Sequence, residues 1–515
     1  MYLAGIGARA ETDPHGLAVR DRAGDLSWGQ LADLVRGVGG RLLELTDGED
    51  RVGVTGDNAA ATLVTHLAGL LTGVGTVALH RQGTPKELAR ELTDTGCTVA
   101  VTGPAALPAI LEAAHPAGLR AVVVHGADAP QGTVAWTDWV QRPPPKLTLA
   151  AHPARPLLVF TSGTTGHAGA TEVCWLRGTG APDAHAYVAA IAAESGFPDG
   201  PHLVVGPLQH NGPLTSLRHL LRGQPVIVLD RFDAEAVLRE IHHGAVTSTV
   251  LVPTHFTRLL ALDEAVRARY DVRGLRLVAH TGSACPEPVK RAMIAWWGPV
   301  LTESYGGSEL GTVCRIAGPE WLSHPGSVGR AVPPLIIESY DEAGRAQPRG
   351  TTGLLGVTLP PGRAVRFLGD HAKSANAYLA PGVATLGDVG HVDVDGFVFI
   401  TDRLADMVVC GGVNLYPAEC EQLLIRHPDV AEVAVIGVPD PDLGERLLAL
   451  VVPAADRVDD VALDRFCRTE LAGYKCPRSY RTIPELPRNE MGKVDKRALR
   501  APYWSGEPPI NEDVS

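Results

Sequence analysis

Short apolar runs alternate with amphipathic helical patterns along the first hundred residues. Apolar residues recur at helical spacing from the N-cap Ser27 to Leu45, and the apolar runs at 52–54, 76–79 and 98–102 have the length of strands. Strands that alternate with helices of this length form βαβ units, whose strands lie parallel in one sheet. The sequence therefore predicts an α/β fold built on layered, mostly parallel sheets.

The pattern changes in the last third of the chain. Residues 363–391 contain short strand-like pieces between Gly and Pro residues, which is typical of a small barrel or sheet. Beyond Arg403, helical and strand patterns alternate in a compact α+β arrangement, at 418–426, 430–438, 447–452 and 462–471. A chain of 515 residues is too long for one ordinary domain. We therefore predict a large N-terminal domain (1–403) that ends in a barrel-like subdomain, and a small mobile C-terminal domain (404–515).

Charge and cysteine content narrow the classes of function. The chain has 46 basic and 58 acidic residues, and this net charge of −12 argues against a protein built around nucleic acid or an anionic membrane surface. The eight cysteines form no C-x-x-C pair, so neither a disulfide framework nor a zinc site is indicated. No apolar stretch approaches the roughly 18 residues of a membrane span, and residues 1–11 lack a signal-peptide pattern. We expect a soluble, cytoplasmic protein.

A hydroxyl-rich loop follows an apolar strand pattern at 156–160. Its sequence is Thr161-Ser162-Gly163-Thr164-Thr165-Gly166, which offers backbone N–H groups and four hydroxyls to phosphate oxygens. It is not a Walker loop, because no G-K-[ST] follows. A Ser/Thr/Gly stretch is more often an ordinary loop, but its position directly after a strand favours phosphate binding.

The loop resembles the phosphate loop of the adenylate-forming enzymes, the ANL superfamily, and four further blocks follow in the order found in that family. These blocks are Tyr305-Gly306-Gly307-Ser308-Glu309, Leu386-Gly387-Asp388, Asp402-Arg403 with the Gly-Gly-Val-Asn-Leu-Tyr-Pro-Ala-Glu segment at 411–419, and Pro-Arg-Asn-Glu-Met-Gly-Lys-Val at 487–494. The chain is identified as a member of the acyl- and aryl-CoA synthetase branch. The resemblance implies two domains joined by a hinge, here at Ala405.

The resemblance also implies the chemistry. In this family a carboxylate attacks the α-phosphate of ATP to give an acyl-adenylate, and a thiol then displaces AMP. The catalytic lysine matches Lys493, the Mg²⁺ ligand matches Glu309, and the ribose-binding pair matches Asp388 and Arg403, while the ring of Tyr305 would stack on adenine. The remaining nucleotide-binding set is Thr161, Ser162, Gly163, Thr164, Thr165, Gly166, Gly282, Ser283, Ala284, Gly306 and Ser308.

A second set of residues points to CoA. His210, in Pro-Leu-Gln-His, matches the family position that gates the pantetheine tunnel and is counted with the catalytic residues. Gly411 and Gly412 would let the thiol arm pass close to the backbone. Residues 475–500 contain eight basic and three acidic side chains, among them Lys475 and Arg478, which we expect to face the CoA phosphates.

The phosphate loop departs from the family pattern T-S-G-T-T-G-x-P-K-G. This chain continues Gly166-His167-Ala168-Gly169-Ala170, so Gly169 stands where the family has lysine. Without that cation the loop should hold the β- and γ-phosphates less well. One hypothesis is an enzyme restricted to thioesterification of an acyl-adenylate that a separate adenylating enzyme supplies. Lys493 and Glu309 favour the alternative, a complete ATP- and Mg²⁺-dependent ligase.

Two other functions remain open at this stage. A stand-alone adenylation enzyme would load an amino acid onto a carrier protein, but residues 207–212 lack the Asp that pairs with an α-amino group. A non-catalytic nucleotide or acyl binder would leave Lys493 unexplained. The acid itself is not identified, although its pocket is expected at 210–216, 279–283 and 305–307.

Overall fold

The computed structural model describes residues 4–141, 153–161, 169–175, 181–404, 406–410, 413–455, 458–488 and 492–504. Within these ranges the strands are β1 (Leu17–Asp21), β2 (Gly24–Ser27), β3 (Arg51–Thr55), β4 (Gly75–Leu79), β5 (Cys97–Thr102), β6 (Ala121–Val124), β7 (Val134–Ala135), β8 (Leu158–Thr161), β9 (Gly169–Glu172), β10 (His202–Val204), β11 (Val226–Val228), β12 (Ser248–Leu251), β13 (Leu277–His280), β14 (Leu301–Gly307), β15 (Gly311–Ala317), β16 (Ser327–Ala331), β17 (Ile336–Tyr340), β18 (Gly353–Thr358), β19 (Tyr378–Ala380), β20 (Val383–Val392), β21 (Val398–Arg403), β22 (Val408–Cys410), β23 (Val413–Leu415), β24 (Val430–Asp440), β25 (Gly444–Pro453) and β26 (Ser479–Thr482).

The helices of the same ranges are α1 (Ala4–Thr12), α2 (Trp28–Leu45), α3 (Ala60–Thr72), α4 (Pro85–Asp94), α5 (Leu107–Ala114), α6 (Trp136–Gln141), α7 (Ala184–Ala193), α8 (Asn211–Leu214), α9 (Ser216–Leu221), α10 (Ala234–His243), α11 (Pro253–Leu260), α12 (Glu264–Arg267), α13 (Glu287–Trp297), α14 (Gly318–Ser323), α15 (His371–Asn376), α16 (Pro417–Leu424), α17 (Asp460–Glu470) and α18 (Lys496–Trp504), with a 3₁₀ turn at Gly473–Lys475.

The first sheet confirms the predicted βαβ rhythm. Its strand order is β7-β6-β5-β3-β4-β8-β9, and every neighbouring pair is parallel except β8 and β9. The predicted N-cap Ser27 accepts a hydrogen bond from the backbone N–H of Gln30, whose side chain returns one to Ser27, so α2 starts with a capping box. Leu31, Val35, Val38 and Leu42 then recur on one buried face.

The second sheet joins a parallel and an antiparallel section. Strands β1, β11, β10, β12, β13 and β14 run parallel, and the sheet then continues antiparallel through β15, β16, β21, β20, β18 and β17. The short strand-like pieces predicted at 363–391 belong to this antiparallel section, together with the short helix α15. The functional site lies where the two sections meet.

The third sheet, β22 to β26, packs against α16 and α17 and forms the predicted compact α+β unit. Helix α16 begins at Pro417, one residue before the predicted start, because proline is well suited to the first helical turn. The Pro-rich segment after residue 141 lies outside the described residues. Among the helices that the structure describes, none is long and apolar enough to cross a membrane.

Candidate nucleotide and acyl site

A cavity of about 960 Å³ lies at the junction of the two sections of the second sheet. Nine of the residues selected from the sequence line it: Thr161, His210, Gly282, Tyr305, Gly306, Ser308, Glu309, Arg403 and Lys493. The acyl-pocket segments predicted from the sequence contribute Asn211, Gly212, Thr215, Ala279, Thr281 and Gly307 as well. The fold therefore brings together motifs that are far apart in the chain.

Other selected residues lie elsewhere. Ser162, Gly163, Thr164, Thr165, Gly166, Ala405, Gly411 and Gly412 fall outside the described residues. Ser283 and Ala284 are exposed beside Gly282. Lys475 forms an ion pair with Glu419 at 2.8 Å, and Arg478 is exposed.

The ribose-binding pair predicted from the sequence is built by neighbouring strands. Asp388 on β20 faces Arg403 on β21 in the strand register, and the Arg403 Nε lies 3.2 Å from an Asp388 carboxylate oxygen. The Tyr305 hydroxyl donates a hydrogen bond of 2.6 Å to the other oxygen. Burial raises the pKa of Asp388, although the nearby Arg403 opposes this shift. A carboxylate has more lone pairs than these two contacts use, so it can still accept hydrogen bonds from hydroxyls.

Lys493 reaches the cavity from the C-terminal part of the chain. Its Cε would lie 3.7 Å from a Cβ built on Gly282, whose φ of +98° also favours glycine. Burial, reinforced by the positive charge of Arg403, lowers the pKa of Lys493 to about 8, while Asp388 and Glu309 act in the opposite direction. The side chain is therefore a cation at neutral pH, surrounded by the groups selected for nucleotide binding.

The turn before Lys493 is anchored to the large domain. Thr254, in the first turn of α11, donates a hydrogen bond of 2.9 Å to the carbonyl oxygen of Gly492. Arg488 donates to the same oxygen at 2.7 Å and forms a 2.8 Å ion pair with Glu432 of β24. These contacts fix the position of the lysine relative to the cavity.

His210 lies at another part of the cavity wall, at the N-cap of α8. The rings of His80 and His210 pack edge to face with centroids 5.6 Å apart, and the Gln209 amide nitrogen lies 3.2 Å from His80 Nδ1. Trp175 donates a hydrogen bond of 2.9 Å to the Asn211 side chain. Sequence reasoning missed His80 and Trp175, because neither lies in a motif that signals a shared pocket.

Four further cations line the cavity and were also missed: Arg218, Arg315, Arg363 and Lys373. Arg363 donates hydrogen bonds to the Leu310 carbonyl oxygen and to Cys174 Sγ, and thereby holds the chain that follows Glu309. Lys373, on α15, faces the cavity near Glu309. Burial lowers the pKa of Lys373, and the negative charges of Asp370 and Glu309 oppose that shift.

Glu309 is the side chain best placed to hold a metal ion. Within the described residues, no cluster of three or more His, Cys, Asp or Glu could hold one. Mg²⁺ in phosphate-transfer sites commonly takes one or two carboxylates, with phosphate oxygens and water as its other ligands. Glu309, a carboxylate in the cavity wall, therefore fits Mg²⁺ that arrives with ATP.

Family models identify both parts of the chain. Residues 7–360 match the model described as AMP-binding enzyme, and residues 419–493 match the model described as AMP-binding enzyme C-terminal domain. The large matched region contains strands β8 and β9, His210 and Glu309. The smaller one contains Lys493.

Several curated relatives are CoA ligases by name. The "3-[(3aS,4S,7aS)-7a-methyl-1,5-dioxo-octahydro-1H-inden-4-yl]propanoyl:CoA ligase" of Mycobacterium tuberculosis is 32% identical over 493 residues, which cover 92% of each chain. The protein of that name from Rhodococcus jostii is 34% identical over 351 residues, and this match spans 67% of the present chain and 64% of the relative. Indoleacetate–CoA ligase of Aromatoleum aromaticum is 30% identical over 503 residues, 96% of each chain.

A solved structure gives the same result for the fold. The ATP-bound crystal structure of MatB from Rhodopseudomonas palustris superposes with a TM-score of 0.82 at 26% identity, covering 98% of this chain and 99% of that one. The matching models, the relatives and the ordered motifs agree. The chain therefore belongs to the AMP-binding enzymes, the adenylate-forming superfamily that its motifs resemble.

Proposed function

We propose that the protein is an acid–thiol ligase that joins a carboxylic acid to CoA through an acyl-adenylate. The observation that carries this proposal is that Lys493, Glu309 and Arg403 line one cavity together with His210. The first three are suited to a bound nucleotide, and His210 lies next to the small residues expected at the acyl pocket. The two curated relatives that match more than nine-tenths of the chain, both CoA ligases by name, support the same activity.

In the first step a carboxylate oxygen of the acid attacks the α-phosphorus of ATP. A new P–O bond forms, the bond between the α-phosphorus and the bridging oxygen breaks, and pyrophosphate leaves with the bond electrons. Lys493 stabilises the negative charge that develops around the α-phosphate. Glu309 would hold Mg²⁺, which supplies charge neutralisation on the phosphates.

In the second step the sulfur of CoA attacks the acyl carbonyl carbon. The thioester C–S bond forms, the bond from the acyl carbon to the phosphate oxygen breaks, and AMP leaves while the thiol proton passes to solvent. His210 would border the path of the thiol arm, and Gly411 and Gly412 would flank it. Lys475 and Arg478 would face the CoA phosphates, which opposite charge favours.

The names of the relatives suggest the acid. Both acids named consist of a fused six- and five-membered ring pair joined to the carboxylate by a short side chain. Small residues at the cavity wall, such as Ala279 and Gly212, leave room for a rigid ring system. We therefore propose a fused-ring acid as substrate, with indole-3-acetate and indole-3-propanoate as the first probes.

A narrower activity is the second candidate. Because Gly169 replaces the loop lysine, the protein would accept an acyl-adenylate from a separate enzyme and catalyse thioesterification alone. For either activity we propose that the domain boundary lies between residues 403 and 404. We also propose that the protein is located in the cytoplasm.

Two assays test the function. Exchange of labelled pyrophosphate into ATP measures adenylation across a panel of fused-ring and aryl acids, and thioester formation from synthetic acyl-adenylates measures the second step. Thioester formation with CoA in the second assay is expected in either case, and exchange separates the complete ligase from the narrower enzyme. No acyl-CoA from any acid or adenylate, or a preference for a carrier-protein thiol, would refute the proposed ligase.

A further inference from the structure

The hairpin that flanks the phosphate loop lies against the segment that leads into α15. Thr161 and Gly169 face each other across the hairpin formed by β8 and β9. Beside it, the backbone N–H of Leu368 donates to the Ala170 carbonyl oxygen at 2.8 Å, and the Thr171 hydroxyl donates to the Arg366 carbonyl oxygen at 3.0 Å. The segment before α15 is therefore held against β9 by hydrogen bonds that involve backbone carbonyl groups.

Helix α15 is also held to the same segment. The Ser374 hydroxyl accepts a hydrogen bond of 2.9 Å from the Phe367 backbone N–H, and Asp370 caps the helix through the Lys373 backbone N–H at 2.8 Å. These local bonds fix the backbone of α15, from which the Lys373 side chain extends to Gly169.

Lys373 occupies the space into which a side chain at position 169 would point. A Cβ built on Gly169 would lie 2.7 Å from Lys373 Nζ, 3.3 Å from Phe367 Cδ1 and 3.4 Å from Lys373 Cδ. A contact under 3 Å is a steric overlap, so a side chain at 169 would require the Lys373 ammonium to move from this position. Gly169 is thus the residue that lets the lysine of α15 come this close.

Within the described residues, the Lys373 ammonium forms no hydrogen bond and no ion pair, although the charges of Asp370 and Glu309 act on it from further away. Its Nζ is buried and lies 4.3 Å from the centroid of the Phe367 ring. A buried ammonium without hydrogen bonds is costly, and the ring offsets only part of this cost. A bound polyanion would supply the missing partners.

We propose that Lys373 takes the place of the missing loop lysine and binds the β- and γ-phosphates of ATP. This inference rests on the proposed ligase function and deepens it, because it assigns to this chain the cation that adenylation needs. The ammonium lies beside Gly169 at the end of the phosphate-loop hairpin, the charge of Glu309 acts on it, and it lines the same cavity as Lys493. With the α-phosphate near Lys493, the β- and γ-phosphates would lie within reach of Lys373. During adenylation it would neutralise charge on the departing pyrophosphate, and no proton transfer is required.

The test compares ATP with AMP, because AMP lacks the phosphates that Lys373 would contact. Affinities of Mg-ATP and AMP are measured by titration calorimetry for the wild type, Lys373→Met, Lys373→Arg and the matched control Lys86→Met, which changes an exposed lysine. We expect Lys373→Met to weaken ATP binding about ten- to a hundredfold, as for loss of a charge-assisted contact, and AMP binding much less. Lys373→Arg should keep most of the ATP affinity, and Lys86→Met all of it.

The double variant Gly169→Lys/Lys373→Met returns a lysine to the loop position and removes the Lys373 ammonium that would overlap with it. The φ of Gly169 lies outside the left-handed region, so a lysine is tolerated there. We expect this variant to recover ATP affinity that Lys373→Met alone has lost. Such recovery identifies a missing phosphate contact and excludes a folding defect, which would persist in the double variant.

The outcomes separate this inference from the proposed function. Equal ATP affinity in Lys373→Met and wild type, or a wild type that binds ATP no better than AMP, overturns the role of Lys373 even where acyl-CoA is formed. A Lys373-dependent preference for ATP without acyl-CoA from any acid or adenylate supports the phosphate site and refutes the ligase.

Discussion

Raising the pH should lower the rate of adenylation, because it removes the proton from Lys493. The pKa of this lysine is about 8, because burial and Arg403 disfavour the ammonium form. A lysine is charged below its pKa and loses its charge as the pH rises through that value. In the proposed mechanism the Lys493 cation stabilises the α-phosphate, so the rate should fall above about pH 8.

The size of the effect follows from the titration curve. At one unit above its pKa, roughly a tenth of a group keeps its proton, so kcat/KM for ATP at pH 9 should be about tenfold below its plateau. The parameter kcat/KM reports the free enzyme, whereas bound phosphates would raise the pKa of the lysine in the complex. The assay is pyrophosphate exchange at subsaturating ATP between pH 7 and 10.

Lys493→Arg supplies the control, because a guanidinium keeps its charge throughout this range. We expect a lower plateau, since arginine has a different shape, but no fall near pH 8. Lys373 is present in both enzymes, so any titration of its own would remain in the variant. A wild-type profile that is flat to pH 10, or the same basic limb in Lys493→Arg, would refute the reasoning.

Three further predictions concern the site and its support. Glu309→Gln should reduce Mg²⁺-dependent adenylation at least tenfold, and thioester formation from acyl-adenylate should fall less. Parallel assays of the two steps measure both rates, and equal losses would contradict a metal-binding role. Tyr305→Phe removes the 2.6 Å hydrogen bond to Asp388 and should weaken AMP binding several-fold by calorimetry, whereas unchanged affinity would contradict a role in orienting the carboxylate. Lys290 and Glu303 form a buried ion pair beneath the site. Glu303→Gln should therefore lower the free energy of unfolding by about 3–5 kcal/mol in denaturant titrations. A decrease of less than about 1 kcal/mol would contradict the buried-pair interpretation.

Local elements were predictable because their determinants are close in the sequence. The capping box at Ser27 and Gln30 and the apolar face of α2 involve residues three to four positions apart, which is the spacing of a helix. The apolar run at 156–160 predicted a strand. The observed strand, β8, starts two residues later and ends one residue later, at 158–161. Lys493 and Glu309 were found because they lie in short motifs, and both line the cavity.

The chemical environment of those residues was not predictable. The sequence does not contain the information that Tyr305 donates to Asp388, since these residues are 83 positions apart and meet only in the assembled sheet. Likewise, burial lowers the pKa of Lys493, and burial is a property of the whole fold. Thr254, which anchors the turn before Lys493, carries no motif of its own.

By itself, the sequence determined the superfamily, the order of the elements and the residues that match its motifs, because each depends on neighbours along the chain. Only the tertiary structure showed that another cation, Lys373, lies beside Gly169, the position where the family has a loop lysine. Contacts between β9 and the segment before α15, such as that of Thr171 with Arg366 at a separation of 195 residues, place Lys373 where the loop lysine is absent. Electrostatic binding depends on where a charge lies in space, so a cation from a distant helix can take over the position that the loop has lost.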